Sequence, residues 1–219
     1  MNHFLRMLFF ALIVRPIMLV ILGMNVRQRE KLPDSGPAIL IANHNSHLDV
    51  LALMCLFPLK RLRTLRPVAA QDYFFRNPFI KWFALRIMGI LPLDREVKKK
   101  RTSPLAGIYG AIERNEIIIL FPEGSRGEPE ELGRFKTGIA HIAKKHPDVP
   151  IIPCFMHGLG KALPKGEALL VPFFLDVFVG DPLVWEGEKS TFMESFCLLY
   201  TSDAADEGLG VDLGGRRII

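Results

Sequence analysis

Residues 38–49 read AILIANHNSHLD. The unbroken apolar run 38–42 suits a short strand buried on both faces, and helical spacing resumes over 48–57. The polar turn between them therefore lies where a strand ends and a helix begins. A second stretch, IIILFPEGSRG at 117–127, repeats the plan: a strong apolar strand, a Gly-rich polar turn, then a helical pattern at 138–145. Outward from these two, strands are predicted at 65–70, 90–93, 150–156 and 169–179, and helices at 77–88 and 105–114. Continuous apolar strands alternating with helices predict an α/β domain with a mostly parallel central sheet and helices on both faces. The turn cluster PDSGP at 33–37 marks the entry to it.

Composition bounds the rest. The 219 residues are 49% hydrophobic and 23% charged, enough to bury a core and too apolar for wholesale disorder. Three cysteines, none in a CxxC pair, exclude a disulfide scaffold and a cysteine zinc site. The mean hydropathy of +0.23 is oily for a soluble enzyme and too low for a polytopic membrane protein. Residues 197–219 have no apolar period and resemble the translation of a transposase-type sequencing-library adapter, so they are set aside from fold reasoning. That tail holds four acidic residues and two arginines, and without it the chain is more basic than its net +5. A basic balance suits anionic lipid, phosphorylated substrates or nucleic acid.

Residues 4–24 are apolar except for Arg6 and Arg15, with Pro16 beside the second. A spanning helix needs about 20 apolar residues, and an Arg near its centre costs roughly 2.5–3.5 kcal/mol. The segment reads as a kinked helix or helical hairpin lying in one leaflet, both Arg side chains snorkelling to headgroups. A single tilted span also fits. No small-residue cleavage site follows, which argues against a signal peptide.

Within 43–49, His44 is the natural general base, because an imidazole accepts a proton readily near neutral pH. Asp49 is placed to hold one ring nitrogen, as the carboxylate of a catalytic triad does. Five residues apart on a continuous helix the two would be splayed by about 140°, so they meet only with His44 in the turn and Asp49 in the first helical turn. Ser46-x-x-Asp49 is also close to a capping box, and the two roles are compatible. In 121–127, Gly124 and Gly127 let backbone amides approach a ligand, and Arg126 offers a planar fork for phosphate or carboxylate. Glu123 is placed to orient that Arg or to hold a substrate hydroxyl. Taken alone, this motif also fits a surface turn with a solvated Arg–Glu pair.

Together, Asn43-His44-x-Ser46-x-x-Asp49, Phe121-Pro122-Glu123-Gly124-x-Arg126 and Val149-Pro150-Ile151-Ile152-Pro153, in this order, resemble the glycerolipid acyltransferases, specifically the 1-acylglycerol-3-phosphate acyltransferase group. The resemblance implies a membrane-associated O-acyltransferase that moves a fatty acyl group from acyl-CoA or acyl carrier protein to the free hydroxyl of lysophosphatidate, giving phosphatidic acid. It makes His44 the base and Asp49 its partner. Glu123, Gly124, Ser125 and Arg126 would bind the acceptor. Residues 89–95, GILPLDR, resemble the family's second block, whose Arg (here Arg95) is linked to phosphate. No metal, cofactor or nucleic acid is implied. Two departures stand out: Pro92 replaces a usual aromatic residue, and Ala70-Gln71 follow the strand where many relatives carry a Lys. Backbone amides near Ser46 would then serve as oxyanion donors. The implied organisation is a membrane-associated helical segment over 1–30, an acyltransferase domain over 31–196, and the non-native tail over 197–219. The implied location is a membrane, at the cytoplasmic face of the inner membrane if the source is bacterial.

Other readings fit less well. Gly124-Ser125-Arg126-Gly127 lacks the spacing of a hydrolase nucleophile elbow. Gly158-Leu159-Gly160 lacks the third glycine of a nucleotide loop. His44, His47 and Cys154 have no metal-like spacing. The alternatives are an acyltransferase for another lysolipid and, from another class, a non-catalytic lipid-binding membrane module.

Overall fold

The computed structural model describes residues 2–74, 77–94, 103–127, 135–163, 169–185 and 187–194. Arg95 and the tail from 197 onward lie outside these residues. Seven strands form one sheet: β1 (Asn25–Arg27), β2 (Ala38–Ala42), β3 (Leu65–Ala70), β4 (Leu91–Leu93), β5 (Ile117–Leu120), β6 (Ile151–His157) and β7 (Asp176–Val179). Their order is β1-β7-β6-β2-β5-β3-β4. Every pairing is parallel except β6 with β7, so the sheet is mostly parallel, as its apolar strands predict.

Alternation explains those unbroken apolar runs. Ala38, Leu40 and Ala42 face one core cluster, and Ile39 and Ile41 face the other. Ile117 and Ile119 divide from Ile118 in the same way. Helix α2 (Asp49–Cys55) packs on the first face, and α5 (Ala106–Glu113) and α6 (Gly138–Lys145) pack on the second. The chain thus leaves β2 toward one face and β5, its neighbour, toward the other. A crevice opens between two such connections at the carboxyl ends of the strands.

The N-terminal segment is one continuous helix, not a hairpin. Helix α1 (Asn2–Phe9) runs on through wide π turns at Phe10–Val14 and Ile17–Ile21, and Pro16 does not end it. Its buried residues are Arg6, Phe10, Val14, Met18 and Leu22, a strict spacing of four. On a pure α-helix that stripe would drift by about 40° per step. The wider π turns take up the drift and hold one face against α2 and the sheet. The stretch His3–Ile21 is long and apolar enough to cross a membrane by length and composition.

Arg6 does not snorkel. It is 4% exposed, and its Nη2 donates to the carbonyls of Leu65 (3.2 Å) and Met88 (2.8 Å). Gly89, at φ +67°, makes room for it: a Cβ there would sit 2.7 Å from Arg6 Nη1. Arg15 likewise turns to the domain and donates to the Phe57 carbonyl at 2.9 Å. Two further expectations change. Residues 169–175 are irregular and only 176–179 pair as a strand, and the short edge strand β1 has too little apolar pattern to be read from sequence.

Candidate active site

The turn after β2 is built around two side chains. Asn43, buried, pairs with the backbone of Met156 like an added strand residue: its Nδ2 donates to Met156 O and its Oδ1 accepts from Met156 N, both at 2.8 Å. This fixes where β2 ends. Asp49, on the first turn of α2, then reaches back into the turn. Its Oδ2 accepts from His44 Nδ1 (2.8 Å), Asn45 N (2.7 Å) and Ser46 N (2.8 Å). Asp49 is therefore the hydrogen-bonded partner of the imidazole and also holds two amides ahead of its own helix, but the capping box is only half formed, because Asp49 N donates to the Ser46 carbonyl (3.4 Å) and not to Ser46 Oγ. Ser46 Oγ accepts weakly from Leu48 N (3.3 Å) and donates to Leu163 O (3.0 Å). The amides of Asn45 and Ser46 are committed to Asp49, which removes these two as the oxyanion donors expected near Ser46.

The turn after β5 clasps the same histidine. His44 N donates to Glu123 Oε1 (3.3 Å), and His44 O accepts from Gly127 N (2.9 Å). The imidazole lies over the Phe121 ring, centroids 4.2 Å apart and planes 22° from parallel. Gly124 has φ +74°, a conformation that favours glycine, and the flexible Lys136 side chain crosses over it. Lys136 is anchored by its own N–H to Pro122 O at 2.8 Å.

His44, Gly124, Ser125 and Arg126 line one cavity of about 470 Å³. Its other walls are mainly apolar: Val50 and Leu51 of α2, Val68 and Ala70 of β3, and Phe83 and Met88 from the segment that begins with α4 (Pro78–Phe83). Between β3 and α4 lies the single turn α3 (Gln71–Phe74), whose Asp72 and Phe74 also reach the cavity. Arg126 Nη1 is buried there with no hydrogen-bond partner, and a buried donor left unmade costs about 1–3 kcal/mol. A guanidinium held in that state is suited to an anion. His47 also lines the cavity. Partial desolvation first, then the Arg126 guanidinium and His44, lower its pKa from the ordinary histidine value. Cys55 and Cys154 are buried, and burial pushes each thiol up to about 12, so neither supplies a thiolate at neutral pH. Pro153, in β6, lacks an N–H, and its carbonyl accepts from Gly180 N at 2.8 Å where the β6–β7 ladder ends.

The structure thus brings together His44, Asp49, Glu123, Gly124, Ser125 and Arg126, while Arg95 lies outside the described residues. Three contributors were given no role by the sequence reading, although Asn43 and Phe121 stand in the quoted motifs. Phe121 walls the imidazole, Lys136 crosses Gly124, and Asn43 sets the strand end. Lys136 had no such signal.

A family model described as Acyltransferase matches residues 23–157. The chain is 30% identical over 167 residues to the chloroplastic 1-acyl-sn-glycerol-3-phosphate acyltransferase LPAT1 of Arabidopsis thaliana, covering 76% of this chain and 44% of that one. It is 32% identical over 141 residues to the 1-acyl-sn-glycerol-3-phosphate acyltransferase of Saccharomyces cerevisiae, covering 63% and 44%. It therefore spans somewhat under half the length of these relatives. The crystal structure of the 1-acyl-sn-glycerophosphate acyltransferase from Thermotoga maritima superposes with a TM-score of 0.73 at 20% identity, over 94% of this chain and 80% of that one, and shares the fold.

Proposed function

The chain belongs to the acyltransferase family, and from that premise we propose that it transfers a fatty acyl group from an acyl thioester, acyl-CoA or acyl carrier protein, to the free hydroxyl of 1-acylglycerol-3-phosphate. The observation that carries this reading is the shared cavity: a histidine held by a carboxylate at 2.8 Å and a buried, unpartnered guanidinium nitrogen open onto one apolar-walled space. A base beside an anion anchor in an oily pocket fits an acceptor that is at once a hydroxyl, a phosphate and a lipid.

With Nδ1 engaged by Asp49, Nε2 of His44 takes the proton of the acceptor hydroxyl as its oxygen attacks the thioester carbonyl. The carbonyl becomes a tetrahedral oxyanion. It collapses by breaking the C–S bond, and the departing thiolate takes the proton back from His44. Asp49 stabilises the imidazolium between the two transfers. No covalent enzyme intermediate is needed. Arg126, with Lys136 close by, holds the phosphate and so raises the effective concentration of the hydroxyl at the base. The lysophosphatidate acceptor partitions into lipid, and the exposed apolar face of α1 supports attachment of residues 1–30 to a membrane; if the source is bacterial, the location proposed is the cytoplasmic face of the inner membrane.

An acceptor panel run with both donor types tests the reading. His44→Ala is expected to abolish transfer in a folded protein. Arg126→Met is expected to raise the KM for lysophosphatidate by about 10- to 100-fold, the loss of one charged hydrogen bond, and to leave monoacylglycerol unaffected. Transfer retained in the His44 variant, or an equal KM change for both acceptors, would sink it.

A further inference from the structure

Residues 169–175 read LLVPFFL, without a polar side chain. Such a run would ordinarily be buried, yet Leu169 is 75% exposed, Val171 50% and Phe174 78%. The backbone is nonetheless tied at both ends. Val171 N donates to Ala162 O (2.9 Å), Leu175 N donates to Leu22 O (3.0 Å), and Asn25 N donates to Leu175 O (2.8 Å). The loop is thus a fixed structure that displays apolar side chains outward.

Its place in the fold is as telling. β6 runs parallel to β2 and β7 returns antiparallel, so the connection between them lies at the sheet edge that carries the catalytic turns. Its base includes α7 (Leu159–Ala162) and Leu163, whose carbonyl accepts from Ser46 Oγ in the His44 turn. Its far end meets the end of the N-terminal helix, where the Phe174 ring lies 3.0 Å from the place a Gly23 Cβ would take. There the exposed Leu19, Val20 and Ile21 continue the apolar surface. At the other end of that helix, Leu8 and Leu12 share a groove with Phe79 and Trp82 of α4. Two separate segments therefore expose apolar side chains at opposite ends of the apolar N-terminal helix, and α4 also lines the cavity with Ile80 and Phe83. None of the stretches 3–24, 77–90 and 169–175 contains an acidic residue, while the exposed Lys81 and Arg86 lie within them, and Lys161 Nζ lies 5.2 Å from the Phe173 ring centroid.

We propose that residues 169–174 are a second lipid-contacting element, which inserts into an anionic bilayer together with the N-terminal helix and seats the cavity mouth at the membrane surface. The apolar side chains enter the leaflet, and the surrounding cations meet the headgroups. The proposal rests on the reading that the N-terminal segment lies on a membrane, and the test separates the two.

Flotation of the full chain with vesicles of equal parts phosphatidylethanolamine and phosphatidylglycerol measures partitioning. Leu169→Glu with Phe174→Glu is expected to weaken it by at least tenfold, the lower bound for one buried large apolar side chain, with an unchanged circular dichroism spectrum. Leu12→Glu with Val20→Glu tests the parent reading alone. Loss in the helix variant with full binding in the loop variant overturns this proposal and leaves the parent standing. Wild-type protein that does not float overturns both. A second measurement avoids reliance on charge insertion. In a background of Trp82→Phe and Trp185→Phe, Phe174→Trp is expected to blue-shift and to be quenched by brominated lipid only when vesicles are added. Emission already blue-shifted without lipid, from cover by further chain or a second copy, would overturn the proposal.

Discussion

Asp49→Asn isolates charge from geometry. An Asn can place its carbonyl oxygen where Oδ2 lies and keep accepting from Asn45 N, Ser46 N and His44 Nδ1, so the turn survives. What is lost is the negative charge beside the imidazolium that forms when His44 takes the acceptor's proton. Unit charges about 4 Å apart at an effective dielectric of about 20 attract by about 4 kcal/mol. At about 1.4 kcal/mol per tenfold in rate, full loss is about three decades, and the amide dipole retains part of it. The expected result is a fall in kcat of about 10²–10³, with both KM values within about threefold, because Asp49 is only 1% exposed and lies behind the histidine, away from substrate. Steady-state transfer in detergent micelles, with donor and acceptor varied in turn, reads the split. A kcat within tenfold of wild type in a protein of normal thermal stability would refute the assignment of Asp49 as the electrostatic partner of the base and leave it a helix cap.

Three further outcomes are expected. Arg6→Met strips the carbonyls of Leu65 and Met88 of their donor inside the core, so about 2–4 kcal/mol of stability should be lost. In detergent this lowers the Tm by roughly 5–15 °C, and an unchanged Tm would mean that α1 is held by its apolar stripe alone. Phe121→Leu keeps most of the volume but removes the ring under His44. It should cost under about 1.5 kcal/mol of stability while lowering kcat several-fold at constant KM, and a change in KM instead would make Phe121 a substrate wall. His47 is held below the ordinary histidine pKa in the folded protein, so as pH falls below about 6.5 the unfolded chain takes up the proton first and stability declines until the folded value is passed. His47→Gln should flatten the Tm against pH curve in that window, and superimposable curves would deny that His47 is desolvated.

What could be read ahead of the structure followed the range of the physics involved. β2 and β5 were legible because burial on both faces leaves an unbroken apolar run, and the His44–Asp49 pair because both ends lie within seven residues. The same apolarity misleads at 169–175, where β-like residues face outward: periodicity detects oil, not the surface that receives it. Arg6 misleads in the opposite direction. A charge in an apolar helix suggests a headgroup, but its partners are carbonyls 59 and 82 residues away, and only the glycine at 89 hints that something bulky passes there. Phe121 stands in a motif, but its contact with the His44 ring, like the crossing of Lys136 over Gly124, is created by topology, so no local pattern announces either role.

The two turns function as one object. The backbone of His44 is bracketed by the second motif, its N–H on Glu123 and its carbonyl on Gly127. The same seven-residue turn carries Arg126. Any force on the guanidinium therefore bears on the base through a handful of bonds, and base and anchor hold their spacing without a long lever between them. That arrangement is available only because β2 and β5 are sheet neighbours whose exits diverge to opposite faces. Had α2 and α6 packed on the same face, one would have closed the crevice into which His44 and Arg126 both look. The topology thus accounts for why motifs more than seventy residues apart in the chain meet at a single mouth.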